Sequence, residues 1–174
     1  DRLAAVVTAC GVYTGSLGKI ARDVSLLMQY EVAEAAEPGG SSSTMPHKRN
    51  PAGCAIVLAA AARVPGLVAT YLATMPQEHE RGLGNWHAEA ATISAVVEST
   101  GAALAAMADV VERLQVDPVR MRANLDSTGG VIFAERAMML LAPTIGRTGA
   151  EQAIRAAMES TRTEGRDFVH ALLS

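Results

Sequence analysis

Residues 3–27 read LAAVVTACGVYTGSLGKIARDVSLL, and their spacing decides the fold class. Apolar side chains fall at Leu3, Val7, Cys10, Tyr13, Leu17, Ile20, Val24 and Leu27, in steps of three and four. That rhythm is helical, close to the repeat of helices that pack along their length. Gly15 and Gly18 interrupt the stripe. Each costs about 1 kcal/mol in a helix interior, and such glycines are often kept where helices approach closely. One long helix is expected from Leu3 to Ala35, ended by Glu37-Pro38-Gly39-Gly40.

Working outward, the same period recurs. Asn50 followed by Pro51 suits a helix start, with Asn as N-cap and Pro in the first position. A second helix is expected from Pro51 to Thr74, kinked or broken at Pro65-Gly66. Residues 75–85 form a charged turn. A third helix runs from Trp86 to Leu114 on the stripe Ile93, Val96, Val97, Leu104, Met107, Val110, Val111 and Leu114. Beyond it the elements shorten. Asp117-Pro118 caps a helix to Asn124, and helices follow at 131–142, 150–160 and 164–173, with a turn at Gly146 to Gly149. The chain is thus all-α, in two regions: residues 1–115 with three long helices, and residues 116–174 with several short ones.

Composition agrees. Of 174 residues, 49% are hydrophobic and only 3% aromatic, and Ala makes up about one in five. Ala and Leu favour helices, whereas strand-favouring residues are a minority. The net charge of -3 gives no electrostatic footprint for nucleic acid. No uninterrupted apolar run approaches the roughly 18 residues of a membrane span, so no membrane partner is expected. Cys10 and Cys54 lack metal-site spacing and read as small buried hydrophobes in a reducing, cytoplasmic setting. The eight methionines read as core filler. The chain opens on Asp1 and reads as an internal piece of a longer protein. Its apolar stripes are too broad for one small globule to cover, which implies association with other helices.

The segment 39–51 is different in kind: glycines, three serines, a threonine, then Met45-Pro46-His47-Lys48-Arg49-Asn50-Pro51. Gly/Ser backbone amides, two cations and a helix N-terminus all favour an anion. A Ser-rich linker is the plain alternative, but Met45 and two prolines prescribe a shape that a spacer does not need. His79, Glu80, His87 and Glu89 match no standard metal site, and no metal is expected. His47 reads as a loop contact, and Trp86 either lines a pocket or anchors a helix start.

Ser42-Ser43-Thr44-Met45-Pro46-His47-Lys48-Arg49-Asn50-Pro51 resembles the signature loop of the fumarase/aspartase superfamily, S-S-x-M-P-x-K-x-N-P. The resemblance extends over the whole chain and corresponds to the second half of a typical member. It implies a long-helix bundle with a small helical C-terminal domain. Residues 78–89, Glu78-His79-Glu80-Arg81-Gly82-Leu83-Gly84-Asn85-Trp86-His87-Ala88-Glu89, look like the 3-carboxy-cis,cis-muconate cycloisomerase branch. So does the later run from Met121 to Asp126. Adenylosuccinate lyases continue Trp-His with Glu-Arg, where this chain has Ala88 and Glu89. Two positions depart from the usual pattern: Ser41 stands where Gly is more common, and Ala90 where many cycloisomerases have a second Trp.

The resemblance implies conversion of 3-carboxy-cis,cis-muconate to 4-carboxymuconolactone, without a cofactor, in a homotetramer whose active sites draw on three subunits. It makes Ser42 the acid/base residue. Ser43, Met45, Lys48, Asn50 and Trp86 become binders of a small tricarboxylate substrate. Lys48 and the positive end of the helix at Pro51 are the expected sources of stabilisation for a serine alkoxide. An adenylosuccinate lyase-like β-elimination enzyme is the alternative within the superfamily. A helical association module, inactive in isolation, is the alternative outside it.

Overall fold

A computed structural model describes residues 2–39, Met45 and residues 48–173. The elements in chain order are α1 (Arg2–Leu27), β1 (Ala35–Ala36), α2 (Ala52–Thr74), α3 (Asn85–Arg113), β2 (Gln115–Val116), α4 (Pro118–Asp126), a 3-10 turn (Val131–Phe133), α5 (Ala134–Glu164) and α6 (Phe168–Leu173). They fall into two compact units, residues 1–116 and residues 117–174.

In the first unit α1, α2 and α3 pack along their lengths. Leu17, Ala21 and Val24 of α1 meet Cys54, Val57 and Ala60 of α2, and Ala103, Met107 and Val110 of α3. Val7, Val64, Tyr71 and Val96 form a second cluster further along. The late part of α1 therefore lies beside the early part of α2 and the late part of α3. Consequently α2 runs antiparallel to its two neighbours. Between the clusters, Thr14 and Thr100 are buried with their hydroxyls 3.2 Å apart. Thr14 spends its own proton on the Cys10 carbonyl at 2.6 Å, so Thr100 donates to Thr14.

Three helix boundaries differ from the sequence expectation. First, α1 stops at Leu27 rather than Ala35. The chain turns through 28–34, with Ala33 at φ 52°, and pairs Ala35 with Val116 and Ala36 with Gln115 in an antiparallel ladder. A local helical period cannot anticipate that distant partner. Second, α2 runs unbroken through Pro65. Pro65 is exposed, so water is available to the carbonyl left without a donor. Third, the turn expected over Gly146 to Gly149 narrows to a single non-helical residue, Gly146 (φ 75°, ψ 162°), at which the two expected helices meet within α5.

Part of each long helix is left uncovered within the chain. Val6, Tyr13 and Ile20 on α1 are exposed at heptad spacing, as are Val97, Leu104 and Val111 on α3. By length and mean hydropathy α1, α2 and α3 reach the range of membrane-crossing helices. However, Arg63 and Glu98 are exposed near the midpoints of α2 and α3. A charge at the centre of a bilayer costs about 2.5–3.5 kcal/mol, which favours covering these faces with other helices.

The second unit closes around Ile154, Ala157 and Phe168, with Val131, Ala134 and Met138 against them. The Phe168 N–H donates to the Gly129 carbonyl at 2.8 Å. Asp117 caps α4 as expected, accepting from the Arg120 N–H at 2.9 Å, with Pro118 at the first helical position.

Candidate active site

The signature loop lies between β1 and α2. Its Ser42 and Ser43 fall outside the described residues, as does His47. Met45, Lys48 and Asn50 are described, and all three are exposed. The Lys48 N–H donates to the Met45 carbonyl at 2.9 Å, turning the loop just before α2. Met45, Lys48 and Arg49 line a cavity of about 440 Å³ together with Met28, Tyr30 and Ala35. Two cations beside an apolar wall suit a small anion with an apolar part. Arg49 also reaches out of the loop: its Nη1 donates to Gln115 Oε1 at 3.1 Å.

The start of α2 was expected to be capped by Asn50, with its positive end left for substrate or a serine alkoxide. The structure corrects this. The helix begins at Ala52, after Pro51, which supplies no side-chain cap. Its first amides are already taken. The Ala52 N–H donates to the Asn50 carbonyl at 2.9 Å, and the Ala55 N–H makes the first helical bond, to the Pro51 carbonyl at 2.9 Å. Between them, the Gly53 N–H donates to Glu37 Oε2 at 2.8 Å and the Cys54 N–H to Glu37 Oε1 at 2.9 Å. Glu37 is only 3% exposed. Its carboxylate neutralises the helix end from inside the protein. Glu37 also acts on Cys54, whose thiol is pushed up to about 12, first by burial and then by a hydrogen bond to this carboxylate and its charge. Cys54 is therefore a protonated packing residue at neutral pH and no nucleophile.

Trp86 does not join this site within one chain. It stands at the opposite end of α2 from Lys48. The 23 residues of that helix span roughly 34 Å at 1.5 Å per residue. Arg81 lies over the Trp86 ring at 5.4 Å, and His87 meets the ring edge-on at 5.2 Å. Nearby, the Tyr71 hydroxyl donates to Glu89 Oε1 at 3.2 Å. Burial first, and the Glu89 charge second, raise the Tyr71 phenol above its ordinary value. Residues 78–81 and Leu83 line a separate open cleft. Here His79 adopts φ 53° and Leu83 is 92% exposed.

Sequence reasoning missed Glu37 and Gln115. Neither has a local signature. Glu37 reads as a helix-ending acid before Pro-Gly, and Gln115 as an ordinary polar residue.

A family model described as a lyase matches residues 1–66. The chain is 48% identical over 170 residues to a 3-carboxy-cis,cis-muconate cycloisomerase of Pseudomonas putida, covering 95% of this chain and 40% of that protein. It is 49% identical to the enzyme of the same name from Bradyrhizobium diazoefficiens, covering 94% and 37% respectively. The crystal structure of 3-carboxy-cis,cis-muconate lactonizing enzyme from Pseudomonas putida superposes with a TM-score of 0.87 at 44% identity, over 98% of this chain and 39% of that one. The chain belongs to the fumarase/aspartase superfamily. It spans about 40% of the length of the curated relatives it matches. In fumarase/aspartase terms, α1 to α3 supply part of the helical bundle, and the loop before α2 carries the signature.

Proposed function

We propose that the full-length protein is a cycloisomerase that converts 3-carboxy-cis,cis-muconate to 4-carboxymuconolactone. The observation that carries this reading is similarity at 48–49% identity across nearly the whole chain, signature loop included, to enzymes of that name. The site residues fit the chemistry. One substrate carboxylate adds across a double bond, forming the ring C–O bond. A proton is delivered to the carbon α to a neighbouring carboxylate, so the product is an isomer and nothing else is released. Charge builds on that neighbouring carboxylate as the bond forms. Lys48 and Asn50 are assigned to hold it, Met45 to pack against the carbon skeleton, and Ser42, with Ser43 beside it, to carry the proton.

The active unit is proposed to be a homotetramer. Lys48 and Trp86 stand a full helix length apart in one chain, so they share a site only if different copies contribute them. The exposed heptad stripes on α1 and α3 are the surfaces such copies would cover.

Lactonisation interrupts the conjugated diene, so loss of its ultraviolet absorbance follows turnover directly. The full-length protein, incubated with 3-carboxy-cis,cis-muconate, should consume it and yield the lactone. Turnover of adenylosuccinate instead, with the muconate untouched, would refute the proposal in favour of β-elimination.

A further inference from the structure

We propose that Glu37 is the positioning residue that closes the neck of the signature loop and so sets where Lys48 stands. The inference rests on the cycloisomerase reading for its catalytic consequence, but not for its geometry. Glu37 immediately precedes the loop, and Gly53 and Cys54 immediately follow it. One buried carboxylate joins the two ends, each oxygen accepting one backbone N–H, at 2.8 and 2.9 Å. The described residues on either side of the loop, Glu37 before it and Gly53 and Cys54 after it, are thereby tied together.

Two further contacts brace the same neck. Ala36, the residue before Glu37, is held by its ladder partner Gln115. Arg49, near the far end of the loop, donates to the side chain of that same Gln115 at 3.1 Å. Gly53 is part of the device. A Cβ there would run into Val110 Cγ2 and stand 3.2 Å from Glu37 Oε2. Only glycine lets the start of α2 approach both α3 and the carboxylate this closely.

The charge matters as well as the shape. A carboxylate offers an acceptor to each amide, whereas a glutamine of the same size turns an NH₂ toward one of them and leaves two donors face to face. Losing the neck would free the arm that bears Lys48. A displacement of about 1 Å in a catalytic group costs on the order of 100-fold in rate.

The test uses the full-length protein and two readouts. Amides in the first turn of a helix ordinarily lack an acceptor. In the unaltered protein those of Gly53 and Cys54 should nonetheless exchange together, at least about 100-fold slower than in an unstructured peptide. In Glu37→Gln both should speed up by at least about 10-fold while the amides of Met107 and Val110 keep their protection. With 3-carboxy-cis,cis-muconate, kcat should fall by roughly 10–100-fold, by more than any change in KM. Gly15→Ala, on α1 but with nothing within 4 Å of the added Cβ, should leave kcat unchanged.

Free-peptide exchange at Gly53 and Cys54 in the unaltered protein would overturn the proposal, and that measurement decides the matter even if Glu37→Gln does not fold. Faster exchange in Glu37→Gln with an unchanged kcat would overturn the positioning role. If the exchange behaves as expected but the unaltered protein does not lactonise the muconate, the neck stands and the cycloisomerase reading fails.

Discussion

Replacing Gly18 with alanine should destabilise the three-helix unit, although alanine is the better helix former. The same change at Gly15, one turn away on α1, should stabilise it. Both positions are helical, so both gain about 1 kcal/mol of intrinsic propensity. Their surroundings differ. An added Cβ at Gly15 meets nothing within 4 Å, whereas at Gly18 it would stand 2.6 Å from the Ala61 Cβ of α2. Carbon atoms pack at about 3.5–4.0 Å, so the gap is short by about 1 Å. Ala61 has no rotatable side chain with which to yield, and the helices themselves must part. Overpacking of this kind costs about 1–3 kcal/mol. Propensity cancels between the two variants, which leaves Gly18→Ala less stable than Gly15→Ala by about 1–3 kcal/mol. Urea denaturation followed by circular dichroism measures both. Equal stability within about 0.5 kcal/mol, the scatter of neutral surface changes, would mean that α1 and α2 do not approach this closely. Adding Ala61→Gly to Gly18→Ala should restore part of the loss by reopening the contact.

In the full-length protein Ser42→Ala should lower kcat by roughly 10²–10⁴, the range for a lost general acid or base, with little change in melting temperature. A near-normal kcat in steady-state assays would remove Ser42 from that role, and a dead Ser41→Ala or Ser43→Ala would shift the register. Lys48→Met should raise KM and lower kcat together, because the cation meets carboxylate before and during the reaction. The raised Cys54 thiol makes stability fall at high pH: the unfolded chain loses this proton near 9.0 and the folded chain only near 12. Cys54→Ala should flatten the decline in unfolding free energy between those two values, and an unaltered slope would contradict the assignment. Finally, Leu104 is 46% exposed within the chain. Leu104→Glu should therefore cost a monomer less than about 0.5 kcal/mol yet dissociate an assembly that buries the α3 stripe. Light scattering at unchanged mass would place the interface elsewhere.

Much of this protein was legible along the chain, for physical reasons that can be named. The apolar period of residues 3–27 and 93–114 is a local property, so α1 and α3 could be read from it. Asp117-Pro118 marked the start of α4 because a cap and its helix adjoin. The loop from Ser42 to Pro51 was legible as a family signature because its residues are contiguous. Tertiary contact decided the rest. Ala35 and Ala36 left the helix to pair with Val116 and Gln115, about 80 residues on. The positive end of α2 went to Glu37, which lies 16 residues before Gly53, rather than to Asn50 beside it. Trp86 and Lys48 were expected in a site drawn from three subunits, and the antiparallel course of α2 sets them at opposite ends of the bundle within one chain. Periods, caps and contiguous motifs act within a few residues and are written in the sequence. Which buried carboxylate reaches which amide, and which end of a helix a side chain occupies, depends on how the helices pack.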